Sequence, residues 1–456
     1  MSRPLPRMIF AIAALAAACG GQTADPRPQW VVAVSTDAPV PQLGDRLLVE
    51  LVGPDGDAAC TGCRRLFGMA GPEAWPLSFG IPDPGGGGLR LRVRLFRADH
   101  SDAGGSPFGA LTIDAVGLLP ATRDEVRRVS LSLFAACAGV AADVVGARSC
   151  DPESGALVPR TLDDDQITPR PVPGSFASAR KTPCSRPAPD GMVCVEGGLL
   201  ARGSARFELD ESSPSRSVPE RLVRLSPFAM DRTEMTVRAM RDLVRKTGID
   251  RPVQRSADAP VCTYTLEPGD FEDYPVNCIT RARAVAACAA RAARLPTEAE
   301  WEFAAGDRDR ENRYPWGADP DACSYAIVGR ARVPAEGDEV AGASTACRLS
   351  ASGEQVPFGP RPVTEGDDVN DLGLRHMGGN VGEWVADQFA PYDSRCSDGP
   401  PVLVDPRCDK AEEPLSFLAR GGSWNGRPYQ AQTTQRATYN GDLAVVQLGF
   451  RCAESL

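Results

Sequence analysis

The sequence predicts a multidomain chain. An N-terminal all-β, sandwich-like domain covers residues 30–150, and a second domain over residues 189–456 combines a few helices with loops and little regular secondary structure. Three observations carry this. Residues 30–150 hold short runs rich in Val, Leu and Ile, separated by turn formers. Residues 151–188 are rich in Pro, Asp and Ser, lack periodicity and read as a solvated linker. From Met192 onward helix-period patterns and capping signals appear, then fade after Tyr314. The 45 Gly and 41 Pro are nearly a fifth of the 456 residues, which fits loop-rich structure rather than a helical bundle.

Taken in chain order, the first element is an export signal over residues 1–18. Arg3 and Arg7 precede an apolar run, Met8 to Ala18, which is too short to span a hydrocarbon core of ~30 Å as a helix. The end of that run, Leu15-Ala16-Ala17-Ala18-Cys19-Gly20, resembles a bacterial lipobox, with Ala16 where a branched residue usually stands. Cys19 is then the acylated N-terminus, residues 19–29 are a polar tether, and the protein is an exported, membrane-anchored lipoprotein. Gly20 is not the Asp that retains lipoproteins on the inner membrane, which points to the outer membrane or cell surface. No other apolar run approaches ~18 residues.

Strands follow at Trp30–Val34, Arg46–Val52, Gly88–Phe96, Gly109–Ile113 and Val126–Phe134. In Leu89-Arg90-Leu91-Arg92-Val93-Arg94-Leu95, period-two alternation puts the apolar residues on one face and Arg on the other. In the second domain Thr236 caps a helix over Val237–Lys246 that Gly248 stops. A second helix runs from about Arg281 to Arg294. A third starts at Thr297-Glu298-Ala299-Glu300, a capping box in which the Thr and Glu side chains satisfy each other's free N–H groups.

Composition excludes several functions. The net charge is −10, so a nucleic-acid partner is not expected. His100 and His376 are the only two His, which rules out a site built from three imidazoles. Fifteen Cys in an exported chain argue for disulfides, since fourteen remain once Cys19 is set aside.

Seven phrases then stand in order: Met192-Val193-Cys194-Val195-Glu196-Gly197-Gly198, Glu234-Met235-Thr236-Val237, Arg294-Leu295-Pro296-Thr297-Glu298-Ala299-Glu300-Trp301-Glu302, Tyr314-Pro315-Trp316-Gly317, Gly378-Gly379-Asn380-Val381-Gly382-Glu383-Trp384, Arg420-Gly421-Gly422-Ser423-Trp424 and Leu448-Gly449-Phe450-Arg451-Cys452. Together they resemble the formylglycine-generating enzyme (sulfatase-modifying factor) family over residues 190–455. The resemblance implies a C-type-lectin-like α+β fold. It also implies a copper site made of two Cys after the Arg-Gly-Gly-Ser-Trp phrase, which oxidises a substrate Cys to formylglycine. Here those two positions hold Gly426 and Ala431, and no Cys occurs between Cys408 and Cys452. A thiolate pair suits soft Cu(I), and Gly and Ala offer no such ligand, so copper is not expected. Two His cannot build the iron site of the family's sulfur-transfer branch either.

For calcium, the resemblance implies a ligand set of the His376 side chain, the backbone carbonyls of Gly379 and Val381 and the Glu383 carboxylate, with His376 a poor substitute for an oxygen ligand. A second family calcium site wants an Asn where Ile327 stands. The resemblance pairs Cys288 with Cys452. The remaining Cys invite near-neighbour pairing (Cys60–Cys63, Cys137–Cys150, Cys184–Cys194, Cys262–Cys278, Cys323–Cys347, Cys396–Cys408), although sequence alone does not fix connectivity. The expected function is a non-catalytic binding module on a lipid anchor. Trp424, Asn425, Arg427, Tyr429 and Arg436 would form its recognition surface for a glycan, peptide or envelope protein. The alternatives are a copper-dependent formylglycine-generating oxidase, with thiols such as Cys396 or Cys408 supplied from elsewhere, and a purely structural envelope protein.

Overall fold

A computed structural model of the chain describes residues 27–456 apart from 70, 109–110, 124, 164–169, 205–216, 332–342, 350–352, 354, 398 and 410–415. The signal segment, Cys19 and most of the tether lie outside the described residues. Among the described residues, no helix is long and apolar enough to cross a membrane.

Seven strands open the fold: β1 (Gln29–Thr36), β2 (Arg46–Val52), β3 (Arg64–Gly68), β4 (Leu77–Pro82), β5 (Arg90–Phe96), β6 (Ile113–Leu118) and β7 (Val126–Leu133). They form two sheets, ordered β4-β1-β7 and β3-β2-β5-β6. The strand β1 pairs antiparallel with β4 and parallel with β7. Both sheets point apolar side chains into one core containing Trp30, Val32, Leu47, Leu91, Val93 and Leu131. The alternation in β5 works as read: Leu91 and Val93 are fully buried, while Arg92 and Arg94 turn outward to Asp114 and Glu50, each at 2.6 Å. The strand expected at Gly109–Ile113 instead begins at Ile113, and β3 and β4 stand where the sequence analysis placed none. The segment expected as a linker holds regular structure. A hairpin of β8 (Arg148–Cys150) and β9 (Leu157–Pro159) enters it, and Phe176 and Ala179 pack on the core.

Next come β10 (Met192–Val195), β11 (Gly198–Arg202), β12 (Arg221–Leu225) and β13 (Phe228–Asp231). The helices α1 (Val237–Thr247), α2 (Arg281–Ala289) and α3 (Glu298–Ala305) follow, then a single turn, α4 (Ala322–Tyr325). The caps of α1 and α3 are those the sequence marks. Thr236 accepts from the Ala239 N–H and Gly248 closes α1 in the left-handed region at φ 72°, where a Cβ would be strained. Thr297 and Glu300 form the capping box of α3. The helix α2 stops at Ala289, before the end expected at Arg294.

The rest is mostly loop with short strands: β14 (Gly382–Gln388), β15 (Val402–Val404), β16 (Ser416–Arg420), β17 (Ala437–Asn440), β18 (Leu448–Gly449) and β19 (Ala453–Ser455). One sheet runs β17-β16-β14-β18; others run β10-β13-β19 and β11-β12-β15. Leu199, Ala201 and Leu222 of the last of these join the core of the N-terminal sheets, so the two parts share buried apolar surface. Seven disulfides tie this loop-rich structure, including Cys288–Cys452, which closes 164 residues, and the six near-neighbour pairs.

Candidate functional site

Gly426 and Ala431 bracket a tight turn, Pro428–Ala431, after the Arg-Gly-Gly-Ser-Trp strand end. The Arg427 N–H donates to the Gln430 side-chain oxygen at 2.8 Å, which folds that amide back over Gly426. A Cβ at Gly426 would meet the Gln430 oxygen at 2.7 Å and the Ser423 backbone at 3.2 Å. Ala431 is fully buried in an apolar cluster with Tyr314, Ala322, Ala326, Val328 and Cys347. The two positions therefore hold packing, with Gln430 and small side chains filling the space.

Sulfur does stand nearby, from a distant stretch. The Gly329 N–H donates to the Gly426 carbonyl at 2.8 Å, and the Cys347 N–H to the Gly329 carbonyl at 3.0 Å. Cys347 is bonded to Cys323, and the pair flanks the Ala431 cluster. Cys396 and Cys408 are bonded to each other. All Cys among the described residues are in disulfides, so no described thiol faces Gly426.

The recognition surface expected from Trp424 to Arg436 is corrected by burial. Trp424 and Asn425 are buried, and Trp424 donates to the Val446 carbonyl and packs edge-on to Phe358. Arg436 is 4% exposed and belongs to the core: its Nε and Nη2 clamp Glu298 at 2.6 and 2.9 Å, and its guanidinium lies 4.1 Å over the Tyr392 ring. Only Arg427 is exposed, with Tyr429 partly covered. The reason is charge. Glu298 and Glu302 lie one turn apart on the same face of buried α3 and require cations. Arg420 reaches both, at 3.1 and 2.5 Å, and Arg436 adds the second clamp on Glu298. Burial pushes the Glu298 carboxyl up, but Arg436 and Arg420 outweigh it and hold the group below its ordinary value. Asp387 caps the start of α3 by accepting from the Glu298 N–H, and burial raises it to about 6. The sequence signal for this network was the Glu298/Glu302 spacing beside Trp301; its cationic partners lie far along the chain.

Residues 376–383, which hold the expected calcium ligands, are buried. Glu383 is fully buried, but both its oxygens accept from Arg451, at 2.6 to 2.8 Å, and one accepts the Trp301 indole N–H at 2.8 Å. His376 sits at φ 57° with neither ring nitrogen bonded, and burial lowers it to about 3, so it is a neutral imidazole. Gly379 and Val381 were expected to offer backbone carbonyls only, and Ile327, where the second family site wants an Asn, is buried. Glu383 is thus engaged by Arg451 and Trp301, and His376 offers nitrogen where a hard cation prefers oxygen. Among the described residues, no group of three or more His, Cys, Asp or Glu is placed to hold a metal. Two further buried carboxyls were missed by sequence reasoning. Asp368 accepts the Gly378 N–H at 2.6 Å and burial raises it to about 7. Glu234, with neither oxygen bonded, is raised well above its ordinary value by burial.

A cleft of about 290 Å³ lies between the N-terminal sheets and this core. Arg97 from the end of β5 pairs with Glu311 at 2.6 Å across it, and His100 faces Glu220 at 3.5 Å. Gln432, Thr433 and Thr434, directly after Ala431, form the opposite wall.

The β-rich scaffold, with Glu383 of β14 opposite Arg420 of β16 and Cys452 locked to α2, is that of a formylglycine-generating-enzyme-like domain. The model of the sulfatase-modifying factor enzyme 1-like domain matches residues 177–456, and the chain belongs to this family. It is 27% identical over 301 residues to the formylglycine-generating enzyme of Thermomonospora curvata, covering 58% of this chain and 93% of that one. It is 30% identical over 309 residues to the inactive C-alpha-formylglycine-generating enzyme 2 of Mus musculus, covering 58% of this chain and 85% of that one. Among solved structures, PvdO from Pseudomonas aeruginosa is 20% identical and aligns with a TM-score of 0.42, over 61% of this chain and all of that chain.

Proposed function

We propose that this chain is an exported lipoprotein, anchored through Cys19, whose formylglycine-generating-enzyme-like domain binds a ligand in the cell envelope without catalysing an oxidation. The observation that carries this is the filling of the two family cysteine positions. Gln430 folds over Gly426, and Ala431 is sealed in an apolar cluster. Without a thiolate pair there, Cu(I) has no soft ligands and a substrate thiol has no partner. Seven disulfides favour an oxidising compartment. Residues 30–150 form a separate β-sandwich domain in this reading, docked on the second through Leu199, Ala201 and Leu222. The test is to incubate the copper-loaded protein in air with a Cys-x-Pro-x-Arg peptide and to look for the aldehyde by mass spectrometry. No aldehyde above the blank is expected; appreciable aldehyde overturns the reading.

A second reading, the oxidase, has one observation in its favour: Cys323–Cys347 flanks the Ala431 cluster. It requires that pair in the dithiol form. If aldehyde forms, its loss in Cys323→Ser would assign the activity to this pair.

A further inference from the structure

We propose that the disulfide Cys60–Cys63, at the tip of the hairpin joining β2 and β3, is a thiol–disulfide exchange centre that takes two electrons from a protein dithiol. This goes beyond the binding reading above, which does not depend on it.

Placement sets this pair apart from the other six. Among the described residues, Cys60 is the only exposed Cys. Its partner Cys63 is half-buried and packs against the N-terminal core. The link is also the shortest, spanning 3 residues against 10 to 164 for the others. Closing so short a loop removes little freedom from the unfolded chain. The hairpin stands on its own ladder, in which Arg46 to Glu50 of β2 pair with Gly68 to Arg64 of β3. The sulfur–sulfur bond is therefore dispensable for the fold.

The turn is also built to reclose. The Cys63 N–H donates to the Cys60 carbonyl at 3.1 Å and the Leu51 N–H to the Cys63 carbonyl at 2.9 Å, while the Ala59 N–H donates to the Leu51 carbonyl at 3.0 Å. These bonds keep the two Cys side by side whether or not the sulfurs are joined. Gly62, between them, sits at φ 86°, in the left-handed region that favours glycine. No described atom outside the turn lies within 4 Å of where its Cβ would stand, so that side is open. The strand that follows, β3, is the outer strand of its sheet, and four of its five residues are exposed. A protein can therefore approach Cys60 as readily as a small thiol can.

The exchange has two steps. A partner thiolate attacks the Cys60 sulfur; that bond forms while the Cys60–Cys63 bond breaks, and its electron pair leaves on Cys63, which takes up a proton. The partner's second thiolate then attacks the partner sulfur of the mixed disulfide, and Cys60 leaves as a thiolate and is protonated in turn. The partner dithiol ends as a disulfide, and Cys60 and Cys63 end as thiols, having gained its two electrons. The Cys-x-x-Cys spacing favours this, because it lowers the pKa of one thiol and makes it the better leaving group. Charge adds little: Asp55 and Asp57 stand against Arg64 and Arg65 at the tip, and Glu50 engages Arg64 at 3.6 Å.

The test uses the full chain with its disulfides intact. It is mixed with an equimolar amount of reduced thioredoxin, quenched in acid and alkylated, and each Cys is read by peptide mass spectrometry. Alkylation of Cys60 and Cys63 about tenfold above that of any other pair is expected. In a second arm the chain oxidises a Cys-Gly-Gly-Cys dithiol peptide. It should do so about tenfold faster than oxidised glutathione at the same disulfide concentration, and the Cys60→Ser/Cys63→Ser variant should lose this rate while melting close to wild type. Alkylation of this pair no greater than that of the others overturns the proposal. So does a rate no higher than that of glutathione, which would mark an exposed staple only, or a double variant that fails to fold, which would mark the bond as structural.

Discussion

Replacing Arg436 by Met separates a buried network from a binding surface. In the folded protein its Nε and Nη2 hold the two Glu298 oxygens and its Nη2 also reaches the Ala390 carbonyl at 3.0 Å. Both side chains of the pair are at most 3% exposed. Removing one partner of such a pair leaves a desolvated charge and costs about 3–5 kcal/mol. Arg420 still touches Glu298 at 3.1 Å, so the lower end, about 3 kcal/mol, is the working value. The assay is guanidinium unfolding with disulfides intact, followed by tryptophan fluorescence. A pH series adds a signature. The Glu298 carboxyl is held below its ordinary value in the fold, so its contribution is full above the unfolded value of ~4.3 and is lost as pH falls through the folded one. The gap between wild type and Arg436→Met should therefore narrow in acid. A loss under about 1 kcal/mol at neutral pH, as for an exposed pair, or a gap indifferent to pH, would refute the network account.

Asp368, raised to about 7 by burial, holds its proton in the fold over a range where the unfolded chain has released it. Its share of the stability therefore falls as pH rises from roughly 4 to 7, alongside those of Asp387 and Glu234, and Asp368→Asn should make that slope shallower in melting temperatures measured across the range. Replacing Cys288 and Cys452 by Ser opens a loop of 164 residues and should cost about 4–5 kcal/mol, whereas opening Cys60–Cys63, three residues apart, should cost far less in the same unfolding assay. Cys19→Ala should move the protein from the membrane fraction to the soluble fraction on cell fractionation, since the proposed lipid is what holds it to the bilayer.

Much of the fold was legible because local rules acted where nothing opposed them. The alternation of β5, the caps of α1 and the capping box of α3 depend on neighbours within a few residues, and each forms as read. The strand β6 was misplaced because Asp114 interrupts its apolar run; the structure buries that carboxylate by pairing it with Arg92. The strand β3 escaped because four of its five residues are exposed and show no apolar face. The site was harder. An aromatic and cationic loop reads the same whether it faces solvent or a buried carboxylate, and Glu298 lies 138 residues before Arg436. The cleft was invisible for the same reason: Arg97 and Glu311 belong to different parts of the chain and meet only when those parts dock.

The account turns on sulfur around Gly426 and Ala431. The direct measurement is a competition for Cu(I) between the full-length protein, purified without added oxidant or reductant, and a chromophoric bidentate chelator, read by loss of the chelator's colour. The account predicts that no copper leaves the chelator. Withdrawal of one equivalent by wild type, abolished in Cys323→Ser or Cys347→Ser, would contradict it by placing a thiolate pair beside the turn that Gln430 and Ala431 fill.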